Sequence, residues 1–179
     1  MDFINKLEAT VGGWAKNVPH LPVAGQKWLA VNVWWIVLII AILSGISVLF
    51  GLSSIFTLMS LIGTTANSYY VNQAITGYAV STAAVSLLFL AAEAVLMGLA
   101  VKPLKDIQKK GWVLLFLVLL VQAIAIVVGA LLTGSMGGFI VGVIFGAICL
   151  AIEAYFLFEI RGEFAHVTKH STKNAAKKA

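Results

Sequence analysis

The sequence predicts an all-α, polytopic membrane protein: four transmembrane helices set as two hairpins, preceded by an amphipathic helix lying on the membrane surface. Three observations predict it. The chain of 179 residues is 61% hydrophobic and only 11% charged, with a mean hydropathy of +1.01, where a soluble domain carries about a quarter charged residues. Its apolar residues come in long uncharged runs instead of alternating faces. Its twelve basic residues all fall on one side of those runs. This composition excludes an ordinary soluble enzyme, a disordered tail and a secreted disulfide scaffold, and a single cysteine, Cys149, excludes an intrachain disulfide.

A helix crosses the roughly 30 Å hydrocarbon core with about 20 apolar residues. Stretches without Asp, Glu, Lys or Arg run over 28–92, 94–101, 111–152 and 154–158. Turn signals at Gly63-Thr-Thr-Ala-Asn-Ser and Gly134-Ser-Met-Gly-Gly divide them, giving spans at about 30–51, 74–101, 112–133 and 138–160. The chain then divides into an amphipathic segment (1–28), a transmembrane domain (29–160, with hairpins at about 29–101 and 112–160) and a basic tail (161–179).

Lys6, Lys16 and Lys27 precede the first span, Lys102, Lys105, Lys109 and Lys110 lie between the second and third, and Arg161, Lys169, Lys173, Lys177 and Lys178 follow the fourth. The other two connections are uncharged. The positive-inside rule therefore puts both termini and the middle loop in the cytoplasm, with the protein in the inner membrane of a cell. Trp14, Trp28, Trp34, Trp35 and Trp112 fall near that side, where an indole straddles headgroups and acyl chains, and Tyr69, Tyr70 and Tyr78 mark the other boundary. The net charge of +5 describes attraction to the anionic lipids of the inner leaflet. Lys102, Lys105, Lys109, Lys110 and Arg161 are the expected headgroup contacts. Nothing resembles a nucleic-acid-binding motif.

Phe3, Leu7, Val11, Trp14 and Val18 recur at helical spacing opposite Lys6, Glu8 and Lys16, as in a helix lying in the interface. Asp2, Lys6 and Glu8 interrupt this segment, which argues against a cleavable signal peptide. Pro19 and Pro22 end it, and His20 between them reads as a turn residue.

The spans carry an internal duplication. An offset of 78 places Trp34 on Trp112, Ser44 on Gln122 and Gly51 on Gly129; an offset of 60 places Gly77 on Gly137, Leu90 on Leu150 and Glu93 on Glu153. The first hairpin thus matches the second as a parallel repeat, whose polar sites are expected near mid-membrane at the repeat interface. The 18-residue difference is an insertion covering roughly 52–72. Its apolar first half either extends a long tilted helix or lies flat in the outer interface; the second is expected, because a mismatch this long is hard to absorb by tilt.

Glu93 and Glu153 lie nine and eight residues from Lys102 and Arg161, or about 12–14 Å inside the boundary. Gln122 falls at a similar depth, and Ser44 is its counterpart. One polar layer, with one group from each span, is therefore expected. An ionised carboxylate there costs about 2.5–3.5 kcal/mol on insertion scales. No Lys or Arg lies within a span to offset it, so at least one of the two acids is expected to carry a proton at neutral pH. Glu159, two residues from Arg161, is expected to snorkel to the interface.

Gly138, Gly142 and Gly146 form a small-residue stripe that leads to Glu153, and Thr82 and Ser86 occupy the equivalent stripe toward Glu93. Such stripes let a second helix approach closely, from the same chain or a neighbour.

Motifs for enzyme chemistry are missing: there is no phosphate-binding glycine loop and no His-Glu-x-x-His. No catalytic residue, metal site or cofactor is expected. His166 and His170 read as solvated tail residues, and Cys149 as an apolar packing group.

Trp112-x(9)-Gln122, the stripe Gly138-x-x-x-Gly142-x-x-x-Gly146 and the run Ala151-Ile-Glu-Ala-Tyr-Phe-Leu-Phe-Glu-Ile-Arg together resemble small bacterial four-span membrane proteins of unassigned function. That resemblance covers the C-terminal half and implies no activity. The residues themselves lead to a non-enzymatic membrane protein, a homo-oligomer or part of a larger membrane complex, in a structural or accessory role. The alternative is a small proton-linked transporter or ion pathway built on Glu93 and Glu153. A dry hydrogen-bonded layer at the two acids would favour the first, and a cavity the second.

Overall fold

The computed structural model describes residues 10, 13, 19–64 and 71–164, with side chains at 10, 13, 19–60 and 77–164, and four long helices lie among them. Helix α1 is Val23–Thr64, α2 Val71–Lys105, α3 Lys109–Leu131 and α4 Met136–Glu159, and no strand occurs among the described residues. Each helix is long and apolar enough to cross a membrane. The chain is a four-span helical membrane protein. Of the amphipathic stretch expected before Pro19, only Thr10 and Gly13 are described, and both are helical. The rest of it, and the tail with His166 and His170, lie outside the described residues.

Each helix packs on its neighbour in sequence: α1 on α2, α2 on α3, α3 on α4. Helix α1 has 42 residues, about 63 Å at 1.5 Å per residue and twice the hydrocarbon thickness. The segment 52–62 does not lie flat in the interface; it continues α1. Two causes are visible. Ser54, Thr57 and Ser60 donate back to the carbonyls of Phe50, Ser53 and Thr57 at 2.9, 3.0 and 2.8 Å, so none of these hydroxyls needs water. Helix α2 runs alongside, with the Leu87 side chain seated over Gly51, where an added Cβ would lie 2.6 Å from Leu87 Cδ1.

The turn from α2 to α3 is short. Ile107 N–H donates to Leu104 O (3.0 Å) and Gln108 N–H to Pro103 O (2.8 Å), the paired bonds of a Schellman motif. That motif puts Ile107 at φ 49°, a conformation that costs a side-chain-bearing residue about 1–2 kcal/mol. Packing of Ile107 against the core offsets it. Gly111 follows, pressed on the end of α2: an added Cβ would meet Leu104 N at 2.7 Å and Pro103 C at 2.9 Å, both backbone atoms.

This turn organises the core, which sits at the basic end of the bundle, the end carrying Lys27, the 102–110 lysines and Arg161. Ala30, Val33 and Val37 of α1, Ala100 and Leu104 of α2, Trp112, Phe116 and Leu119 of α3, and Leu157, Ile160 and Phe164 at the end of α4 form one buried cluster. Phe164 belongs to a helical turn that continues beyond α4 into the segment read from sequence as tail.

Trp112 is the centre of the cluster. The sequence places it among interfacial indoles, yet it is 1% exposed. Its ring stacks on Phe116 (centroids 5.5 Å apart) and meets Phe158 edge-on at 5.7 Å. Its indole N–H donates to Leu157 O at 2.8 Å, in the last turn of α4 where carbonyls lack helical donors. The short turn tucks Trp112 beneath the end of α4, away from the headgroups. Trp28 and Trp35 keep the exposed position expected of them.

Replacing Gly111 by Ala should push the start of α3 off the end of α2. Thermal or denaturant unfolding in detergent should show a loss of about 1–3 kcal/mol, the usual cost of overpacking.

Candidate functional site

Ser44 of α1, Glu93 of α2, Gln122 of α3 and Glu153 of α4 line a single cavity of about 520 Å3. Each helix contributes one polar group, and the remaining wall is apolar, with Val33, Val37, Met97, Leu119 and Phe156 among its residues. The cavity exists because the helices pack only in sequence order: α1 and α4 both border it without packing on each other along their length. No lysine or arginine lines it.

The polar groups surround this space and only partly bond across it. Gln122 Nε2 donates to Glu153 Oε1 at 3.1 Å. The other end of that amide, Gln122 Oε1, is buried without a partner, a position that costs about 1–3 kcal/mol unless something donates to it. No hydrogen bond joins Glu93 to Glu153 among the described residues. A carboxyl group in such a place can take up and release a proton, or face a cation, without breaking a helix contact.

Glu93 also lines a second, smaller cavity of about 220 Å3 between α2 and α3, with Ser86, Phe89 and Gly129 among its walls. Ser86 and Gly129 lie further from the basic end than Glu93 does. The two spaces therefore meet at the Glu93 side chain, one on each side of it. Sequence reasoning missed this second space, because it is formed between α2 and α3 by residues of both helices.

The small-residue stripe of α4 packs within the chain, against α3. A Cβ on Gly142 would lie 3.6 Å from Ala130 Cβ, and one on Gly146 would lie 2.5 Å from Ile126 Cγ2 and 2.8 Å from Cγ1. Gly138 departs from this pattern. Its neighbours are Ser135 and Thr133, because it belongs to the helix cap, its N–H donating to Ser135 Oγ at 3.0 Å. Thr82 turns its hydroxyl back to Tyr78 O (2.9 Å) and Ala79 O (3.0 Å) on its own helix. Ser86 faces the smaller cavity, so the α2 stripe opens a space where the α4 stripe closes one.

Glu159 differs most from its expected place. It does not snorkel: its side chain is 4% exposed. Oε1 lies 2.7 Å from His20 Nδ1, and Oε2 accepts from Leu21 N–H and Gln26 Nε2, each at 2.9 Å. One turn earlier, Tyr155 OH donates to Pro19 O at 2.8 Å. His20 is therefore an anchor as well as a turn residue. The four bonds strap residues 19–26 across the end of α4. Partners more than 130 positions apart leave no signal in the sequence.

Lys102, Lys105, Lys109, Lys110 and Arg161 are all exposed at the basic end. Two of them reach back onto aromatic rings, Lys105 Nζ lying 5.2 Å from the Trp34 ring centre and Arg161 Cζ 5.8 Å from that of Trp112. Cys149 faces outward from α4. Among the described residues no group of three His, Cys, Asp or Glu is placed to hold a metal ion.

The fold and site define a class, a four-span helical membrane protein with an acidic cavity among its helices. Compared with protein-family models, curated proteins and solved structures, the chain matches none.

The α3–α4 seam can be tested with two glycines of the same helix. Gly146→Val should lose about 1–3 kcal/mol by overpacking against Ile126. Gly137→Val, with nothing within 4 Å of its added Cβ, should stay within about 0.5 kcal/mol. Thermal unfolding of the two variants side by side in one detergent checks the contrast.

Proposed function

We propose that this protein is a non-enzymatic, proton-linked transporter or ion pathway of the inner membrane, with both termini in the cytoplasm and Glu93 and Glu153 as its working groups. The observation that carries this reading is the cavity: four polar side chains, one from each helix, border about 520 Å3 of space. The space is half open and large enough to admit water beside these polar groups. Two acids meant only as hydrogen-bond glue would bond each other or a backbone carbonyl, and Glu93 does neither among the described residues. The second cavity supports the reading further, because a proton held by Glu93 has a space on either side of it. Two matched hairpins, each giving one acid and one polar partner to the same cavity, agree with a parallel repeat whose site lies at the interface.

A structural or accessory subunit is the second reading, and one observation favours it. Helix α1 continues well past the cavity with apolar side chains uncovered, among them Phe56 at 69% and Met59 at 55% exposure. A second copy or another subunit of a larger membrane complex would cover them. In either reading the basic end rests on anionic lipid.

Proton flux into liposomes under an imposed membrane potential separates the two. Wild type should exceed empty liposomes, and Glu93→Gln and Glu153→Gln should each lose about tenfold or more of that flux, as expected when a positioned proton carrier is removed. Background flux in all three proteins would end the transport reading. A lost oligomer in the same variants, seen by mass in lipid nanodiscs, would favour the accessory one.

A further inference from the structure

The larger cavity is divided along its length. On every helix the polar residue is the lining residue furthest from the basic end: Ser44 on α1, Glu93 on α2, Gln122 on α3 and Glu153 on α4. From there back toward the basic end the lining is apolar. Gln122 lies seven residues from Leu115, and Glu153 seven from Ile160, so the apolar part runs for about 10 Å at 1.5 Å per residue. It ends against the buried core, to which Val33, Val37, Leu119, Leu157 and Ile160 all belong. The open side lies between α1 and α4, which border the space without packing on each other along their length. Ile40 and Phe156 line the cavity and are each 44% exposed, so that side faces lipid.

We propose that this cavity binds an amphiphilic organic cation, one ammonium group on an apolar body, with the ammonium between Glu93 and Glu153 and the body along the apolar wall. This inference rests on the transport reading and names the class of molecule that the site would carry. Three features carry it. The polar end is rich in acceptors: it holds two carboxyl groups and Gln122 Oε1, which is buried without a partner. The amide donor of Gln122 is already engaged by Glu153, and among the described residues no Lys, Arg or His lines the space. A ligand must therefore bring donors, and a positive charge offsets what the acids cost in lipid. The second feature is size and surface. About 520 Å3 with a mostly apolar lining falls within the roughly 300–1,000 Å3 of pockets for small organic molecules, which set a few polar groups in an apolar wall. The third is the arrangement of the oxygens at one end only. A hard divalent ion takes six or more oxygen ligands around it, and an anion would meet two carboxyl groups with no cation beside them.

Glu93 of α2 and Glu153 of α4 are the titratable groups that line the cavity among the described residues, and α1 and α3 add none. An ammonium beside a carboxyl group favours its ionised form, so cation and proton compete for one place. As the ammonium arrives, one acid releases its proton to water in the cavity, and the charge held inside the membrane does not change. The opening between α1 and α4 serves the same ligand, since an amphiphilic amine dissolves in the bilayer and reaches the site from the side.

Calorimetry of the protein in lipid nanodiscs tests the site, with empty discs subtracted to remove partition into lipid. The probes are naphthylethylammonium, naphthylethanol and naphthylacetate, which share an apolar body and differ in the charge of the head. The ammonium should bind wild type about tenfold or more tightly than the alcohol, as one hydrogen bond to a charged group implies, and the acetate should not bind. Glu93→Gln combined with Glu153→Gln should bring the ammonium down to the alcohol's level. Ile36→Trp fills the apolar part from α1 and leaves both acids in place, so it should weaken ammonium and alcohol alike. The wild-type comparison needs no variant, which keeps the proposal falsifiable if a variant misfolds. Equal binding of the three probes, no binding of any, or a preference for the ammonium that survives loss of both acids would overturn it. Binding does not require proton movement across the membrane, so the two readings fail separately. Selective ammonium binding with background proton flux would keep the site and remove transport. Proton flux with no preference among the probes would overturn the site and leave a bare proton pathway.

Discussion

Helices in lipid gain nothing by hiding aliphatic surface from one another, because the solvent is as apolar as they are; close packing and polar bonds must hold them. This chain concentrates both at one end. Trp112 lies under the end of α4, stacked on Phe116 and bonded to Leu157 O. The turn that puts it there depends on Gly111 meeting the backbone of Leu104 with no side chain between. Around this clamp the starts of α1 and α3 and the ends of α2 and α4 form a single buried cluster. Everything further along the bundle is built out from it.

The clamp explains why a cavity can persist. With four helix ends fixed at the basic end, and α3 drawn onto α4 through Gly142 and Gly146, the bundle need not close along the α1–α4 side. The polar layer falls where that side stays apart. Its groups are free to bond one another, yet only Gln122 and Glu153 do so. A bundle with its core at mid-membrane would have to bond or exclude these side chains. This one holds them around a space, while residues 19–26 bond to Glu159 at the end of α4.

Features written in local pattern are legible in the order of residues alone. The four spans follow from the length of the uncharged runs, and the convergence of Ser44, Glu93, Gln122 and Glu153 follows from depth counted along each helix. Features made by distant partners are not. Glu159 lies beside Arg161 in sequence, and only folding brings it to Leu21 and Gln26. Trp112 looks like its exposed counterparts Trp28 and Trp35 until the turn before it is known. The continuation of α1 through 52–62 is hidden for another reason. Helix length weighed against bilayer thickness points away from it, while the serine and threonine hydroxyls that satisfy themselves on their own helix permit it.

The central claim is that Glu93 and Glu153 face a space that water can enter, in a bundle whose α1–α4 side is closed only at its basic end. Infrared spectroscopy of the protein in lipid membranes reads this directly, through the carbonyl stretch of protonated carboxylic acids assigned by loss in Glu93→Gln and Glu153→Gln. A shift of that band within seconds of transfer to heavy water is the predicted result. A band that keeps its hydrogen for hours would mean a dry, closed layer and would contradict the account.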